Sequence, residues 1–461
     1  MKKYLMIFAA ALLCAACGKD KDKDDPAPEV LTVSADVCIL DYSGTAGSNT
    51  RPQVSITLTS GSAWTLGNFA DTYIINDISE GAAGTHTIKL QLTPAFVTYI
   101  ENNSGSLFAS GVVGNVVIDN GLSTQEIKVY YKGKGTVNSP LLIFTAAELQ
   151  AMNSNLAGHY LLMNDLTVAN WLPVGDNTTV SAASNFTGSL DGGGRRITIS
   201  SFSPSVPKGG ASSANYYYGL MGFVSGGEVK NLHVEVNASA ATIKTDATVR
   251  YGGIAGSFAG SGTITNCRVS GALAFSSAAN NEVSIGGITS YNASSSVTNC
   301  VSEAAITAEA GGLVYAGGLV GIQNGTLSFS YATGTVNAKS SNGACFAGGL
   351  VGAVNGSITS CVAPGTSVTA AAAGVLNIGR VVGSSSSALT NNHANSAMQV
   401  NGVTVPTGDA GATTIHGANV SLSATQSQSW WSGTAGFTFN SSSNAWKWDA
   451  ATQMPKLWWE K

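Results

Sequence analysis

The phrase Ala316-Gly-Gly-Leu-Val-Gly-Ile-Gln-Asn-Gly-Thr326 is dense enough in glycine to cradle a phosphate, and it returns as Ala347-Gly-Gly-Leu-Val-Gly-Ala-Val-Asn-Gly-Ser357. A phosphate loop also needs a lysine at a fixed place, and neither copy carries one. Gly192-Gly-Gly-Arg-Arg196 has neither that lysine nor the dinucleotide spacing. Cleavage of a polysaccharide would need paired carboxylates, or basic residues with a metal. Between residues 211 and 400 the acids are Glu228, Glu235, Asp246, Glu282, Glu303 and Glu309, and the bases are Lys230, Lys244, Arg250, Arg268, Lys339 and Arg380. They are scattered rather than gathered. The histidines at 86, 159, 233, 393 and 416 form no HExxH or triad-like motif. Asp165, Asp176 and Asp191 stand at turn signals, where Asp commonly bonds its own backbone. Beyond Cys14 and Cys17, the cysteines show no zinc spacing. The expectation is a chain with no catalytic residues, no metal and no cofactor.

What must such a chain build instead? It has 461 residues, of which 10% are charged, against a usual share of about 25%. With 55 glycines and 44% hydrophobic residues, it suits short strands joined by Gly, Ser, Asn and Thr turns. The net charge of −4 comes with no basic tract, so no nucleic-acid partner is expected. Lys2 and Lys3, a short apolar run and small residues before Cys17 make a secretory leader over 1–16, too short to be a membrane span. Cys14-Ala-Ala-Cys17-Gly18 resembles a bacterial lipobox, although the usual Leu is replaced by Cys14. The resemblance implies lipidation of Cys17 and a membrane anchor. Residues 17–29, with Lys19-Asp-Lys-Asp-Lys-Asp-Asp25 and Pro26-Ala-Pro28, read as a solvated tether. This acidic stretch resembles the surface-export signal of Bacteroidetes lipoproteins, which implies the outer membrane, surface-exposed.

Residues 30–135 alternate with period two in Gln53–Thr59, Thr85–Thr93 and Thr124–Tyr131, the pattern of half-buried strands. Several such strands in about 100 residues predict an immunoglobulin-like β-sandwich, with Trp64 as a core anchor. The tryptophan strand, the Gly84-Thr85 turn and the closing Glu-Ile-Lys-Val strand loosely resemble BACON domains, which implies either a spacer or a glycan binder.

Residues 140–210 open a second region. Thr145-Ala-Ala-Glu148 is a capping box for a short helix over roughly 146–154. Over 211–400 a glycine phrase recurs with its second position at 219, 253, 287, 318, 349 and 380, at intervals of 34, 34, 31, 31 and 31. A fixed period in this range signals a solenoid. A second phrase trails it at Asn231-Leu232, Asn266-Cys267, Asn299-Cys300, Phe329-Ser330, Ser360-Cys361 and Asn391-Asn392. Alternation within each repeat sends two apolar columns inward: Asn215, Val249, Val283, Val314, Cys345 and Leu376, then Tyr217, Tyr251, Ile285, Ala316, Ala347 and Ile378. Between them Tyr216, Arg250, Ser284, Tyr315, Phe346 and Asn377 point out. The expected fold is all-β, the sandwich followed by a capped parallel β-solenoid. Cys267, Cys300 and Cys361 share one column, as a buried ladder of thiols or, for the first two, a bridge between coils. Asn324 and Asn355 can stack between coils.

The two phrases, best in Ala316–Val336, together with Phe144–Leu149, His159–Asp165, Trp171–Gly175 and Phe186–Gly192, resemble GLUG-repeat surface proteins across roughly 140–461. The resemblance implies non-enzymatic adhesion or ligand recognition. Tyr216, Arg250, Tyr315 and Phe346 are then the candidate ligand-binding residues, for a host glycan or matrix protein; the same aromatics could simply brace a sheet. Glycan capture for a polysaccharide uptake system and a subunit of a surface fibre remain alternatives, and a β-helix lyase or hydrolase is a further one. Residues 401–461 hold Trp430, Trp431, Trp446, Trp448, Trp458 and Trp459, and read as a hydrophobic plug over the last coil.

Overall fold

The computed structural model describes residues 30–40, 52–67, 73–96, 111–175, 184–203, 215–238, 247–439 and 445–460. The leader, Cys17, the tether and Asp176 lie outside the described residues. The chain is mostly strand, 53%, with 7% helix, and divides into two compact units.

The first unit holds the described strands from Leu31 to Tyr130. One sheet pairs Leu31–Val33, Val54–Ser60, Gly84–Leu92 and Ile74–Asn76 antiparallel. A second, five-stranded sheet contains Trp64–Leu66, antiparallel to Val112–Asp119, and Thr124–Tyr131. The period-two pattern puts Ile56, Leu58, Ile88, Leu90, Ile127 and Val129 inside. Trp64 is buried as expected, edge-on to His86 and over Gly81, where any side chain would collide with its indole.

The second unit is a parallel β-solenoid of about seven turns. One full coil runs Val314–Gly317, Val320–Gln323, Thr326–Ser328, Tyr331–Ala332 and Val336–Ser340. Each strand pairs in register with its equivalent one repeat away, so five ladders rise along the stack, here called first to fifth in chain order. Leu190, Val229, Ile264, Val297, Leu327, Ile358 and Leu389 make one continuous buried aliphatic column in the third ladder. The coil turns sharply between the third and fourth ladders. There Asn231, Asn266, Asn299, Phe329, Ser360 and Asn391 all adopt left-handed φ values between 46° and 55°. Asn tolerates that conformation because its short side chain bonds locally; a bulky Phe does so only under constraint. The next column, Cys267, Cys300, Ser330 and Cys361, donates S–H or O–H to the carbonyl two residues back, which that kink leaves accessible. These cysteines are free and buried.

Both ends are closed. The helix Ala146–Gln150 carries the full capping box, Glu148 N–H to Thr145 Oγ1 at 3.2 Å and Thr145 N–H to Glu148 Oε2 at 3.1 Å, and continues as a 3₁₀ turn to Ser154. It sends Leu149 and Met152 into the solenoid core. At the far end Arg380 stands where inner coils have the second glycine of their phrase. At Gly318 a Cβ would lie 2.1 Å from the carbonyl oxygen of Gly349, one coil on. Arg380 is fully buried, and its guanidinium donates to the carbonyls of His416, Asn395 and Gly417 at 3.0–3.1 Å. A buried cation without a carboxylate is satisfied here by backbone dipoles. The segment it holds adds Ala418–Val420 in parallel to His393–Asn395, covering that edge.

Of residues 401–461, the part up to Val420 pairs with the last coil as expected, but the tryptophan-rich segment after it does not stay there. It leaves that coil and runs back along the flank, on the left-handed column. Asn391 Nδ2 donates to Thr434 O, Gly436 lies against Ser360 and Phe329, and Phe437 meets Phe329 edge-on. Trp446 Nε1 then donates to Asn299 Oδ1 and Trp459 Nε1 to Asn266 O. The strap touches five successive coils in descending order. Its Trp431, Phe437, Trp446 and Leu457 form a separate core with the outward Val301, Tyr331 and Val362 of the fourth ladder. An end plug would have needed an exposed apolar end, and Arg380 with the segment to Val420 already closes it.

Candidate functional site

The first and second ladders meet at the glycine pair of each repeat, and the bend there is so tight that their outer faces turn toward each other. Ser284 and Ser290 show the closure: Ser290 Oγ donates to Ser284 O at 2.8 Å and Ser284 Oγ to Ser290 O at 3.2 Å. The third glycine of the phrase forms the floor of this furrow. A Cβ on Gly352 would stand 2.6 Å from Gly321 O and 2.9 Å from Ala316 N. No phosphate is needed to explain the glycines; backbone of the preceding coil, and Phe346 O of the same coil at 3.1 Å, stand where a Cβ on Gly352 would go, and in the third repeat only the small Ser290 takes that place.

The furrow has two walls. One carries Tyr217, Arg250, Ser284, Tyr315, Phe346 and Asn377 in register. The other carries Phe223, Ser257, Tyr291, Ile322, Ala353 and Ser384. Tyr315 and Phe346 stack at 4.8 Å with planes 10° apart, and both are half-buried. Burial pushes the Tyr315 phenol up, Glu282 adding and Arg250 opposing, so the hydroxyl stays a donor at neutral pH. Arg250 pairs with Glu282 at 2.7 Å and lies 4.8 Å over the ring of Tyr291. Its Nη1 is buried without a hydrogen-bond partner. Across the furrow Tyr217 meets Phe223 edge-on at 5.5 Å.

Three of the four residues expected here are thus together, and Tyr216 is not. It is 7% exposed, and pairs with the inward Val249. The outward residue is Tyr217, expected inside; Tyr218 takes the inner place beside Tyr251. The first phrase is one residue shorter, with Gly219-Leu220 between Tyr218 and Met221 where Gly252-Gly253-Ile254 stand between Tyr251 and Ala255, so counting from Gly219 as the second glycine slips that strand by one residue, and a one-residue slip reverses every face. Tyr218-Gly219 matching Tyr251-Gly252 was the signal that fixes it. Tyr291 and Phe223 were missed because the second strand of each repeat was not aligned.

The asparagine stack is present: Asn355 Nδ2 donates to Asn324 Oδ1 at 3.0 Å, and Asn324 Nδ2 to the Tyr291 hydroxyl at 3.0 Å. Asp191 accepts from Gly193 N at 2.9 Å, the turn bond expected of it. Burial pushes the Cys345 and Cys361 thiols up to about 12, and Cys267 also upward, which keeps them protonated and weakly nucleophilic. Among the described residues no three His, Cys, Asp or Glu side chains gather to hold a metal. No described helix is long and apolar enough to cross a membrane.

No family model matches the chain, and no solved structure matches it. Halomucin of Haloquadratum walsbyi (strain DSM 16790 / HBSQ001) is similar to part of it, 34% identical over 140 residues. That match covers 28% of this chain and 1% of halomucin.

Proposed function

We propose that this chain is a non-enzymatic surface lipoprotein, held at the outer membrane by a lipid on Cys17, that recognises a ligand through the solenoid furrow. On this reading it is a GLUG-motif repeat protein of the Bacteroidetes type, and its first unit an immunoglobulin-like, BACON-like spacer. The observation that carries it is the stacked Tyr315–Phe346 pair, with Arg250 two rungs away on the same wall. Stacked aromatic faces and a cation along one strip suit a sugar face or the edge of a protein.

The test is an array of glycans and matrix proteins probed with the purified protein and with Tyr315→Ala/Phe346→Ala. Loss of the stack removes about 0.5–1.5 kcal/mol beyond area burial, so the double variant stays folded by circular dichroism. Its retention on the recognised ligand falls to background. Equal retention by the variant would sink the reading.

A further inference from the structure

Where the strap ends, it walls a second site, on a different face from the furrow. A cleft of about 420 Å³ opens between the outer faces of strands Arg196–Ile199, His233–Val236 and Arg268–Ser276 and the C-terminal hairpin, Trp446–Asp449 with Met454–Leu457. Four cations line it, Arg195, Arg196, Arg268 and Lys456, against the carboxylates of Asp165 and Glu460. Trp459 completes the wall, laid over Gly194 and fixed by its N–H to Asn266 O at 2.9 Å.

Within the lining four cations face two carboxylates, and three further carboxylates outside it, Glu235, Glu303 and Asp449, hold cations of the cleft from behind. Arg268 is tied to Glu303 and Glu460, yet its Nε is buried with no partner. Arg196 holds Glu235 at 3.3 Å, and Lys456 holds Asp449 at 2.8 Å, both carboxylates outside the lining. Asp165 is engaged by the backbone N–H of Arg196 at 2.9 Å. The exposed guanidinium of Arg195 has no side-chain partner among the described residues. His233 is oriented by Ser270 at 2.8 Å.

We infer that this cleft binds an acidic saccharide, with a sugar ring beside the Trp459 indole and its carboxylate or sulfate on Arg195 and Arg196. The volume lies in the range of small-ligand sites. Arginine forks match carboxylate and sulfate oxygens two at a time. An indole wall adds a flat apolar face that a bare inorganic anion would not use. The site does not rest on the furrow and stands or falls without it.

The experiment is calorimetric titration of the full chain with trigalacturonate, a sulfated disaccharide, maltotriose and inorganic sulfate. The two acidic sugars bind, and their affinity drops as salt rises from 50 to 500 mM, about a threefold shortening of the screening length. Arg195→Gln weakens both at least tenfold with an unchanged melting temperature, because that exposed side chain makes no ion pair or side-chain hydrogen bond among the described residues. Arg195→Glu abolishes binding, and Tyr315→Ala/Phe346→Ala leaves it intact. The inference is overturned if neither acidic sugar binds at millimolar concentration, or if maltotriose or sulfate binds as tightly as the acidic sugars. It is equally overturned if Arg195→Gln binds like the parent.

Discussion

His233 lies between two arginines on the flank of the solenoid, and burial, with Arg268 and Arg196, lowers its pKa to about 4; Glu235 and Asp165 oppose weakly. The unfolded chain binds this proton near pH 6.5 and the folded chain only near 4. The stabilising difference is complete above the ordinary histidine value and is lost as pH falls through that window. Burial lowers His393 and His416 in the same direction. Denaturation midpoints therefore fall between pH 6.5 and 4, and His233→Gln, which can keep the bond to Ser270, flattens that slope. A slope unchanged in the variant would assign the acid sensitivity elsewhere. Among single residues, the outward placement of Tyr315, Phe346 and Arg250 was legible in the sequence because alternation within a strand is a local rule. Arg380 read only as a decayed glycine, since its three carbonyl partners come from residues 395–417, which no spacing announces. Phe329 showed as a member of the second phrase, but its left-handed backbone and its contact with Phe437 are tertiary.

At the scale of elements, the repeat fixes the strand and the glycine fixes the bend. The capping box, the helix after it and the parallel ladders follow from patterns within one repeat and were readable there. The furrow was only half readable, because its second wall is brought in by the tightness of the glycine turn rather than by any apolar period. Gly352→Ala tests that tightness. The new methyl meets backbone at Gly321 and Ala316 rather than a flexible side chain, so about 1–3 kcal/mol of stability is lost. The near-ultraviolet signal of the stacked Tyr315 weakens with it. A variant as stable as the parent would mean that the two strands separate freely. The first repeat shows the limit of counting: with one glycine of the pair missing, the phrase could be laid down in two registers, and only the Tyr-Gly pair chose between them.

For the whole molecule the strap is decisive. A solenoid's coils ordinarily touch only their neighbours, so its stability is a sum of local terms and it can fray coil by coil. Here one segment joins coils from Asn391 back to Asn266. Trp446→Ala removes a buried indole and its bond to Asn299, a loss of about 3–5 kcal/mol. Amide exchange in the turns at Asn299, Phe329 and Ser360 rises together, and a single unfolding transition broadens. Exchange raised at Asn299 alone would show that the coils are not joined. The same feature constrains how this chain can change length over evolution. Repeat arrays gain and lose units by duplication, each new coil adding about 4.8 Å to the stack. A tail with contacts on five successive coils works as a ruler: a repeat inserted among them would put its fixed contacts out of step unless one or two residues, at about 3.3 Å each, were added to the strap in the same event. Copy number in this lineage is therefore tied to tail length, and the two should vary together or not at all.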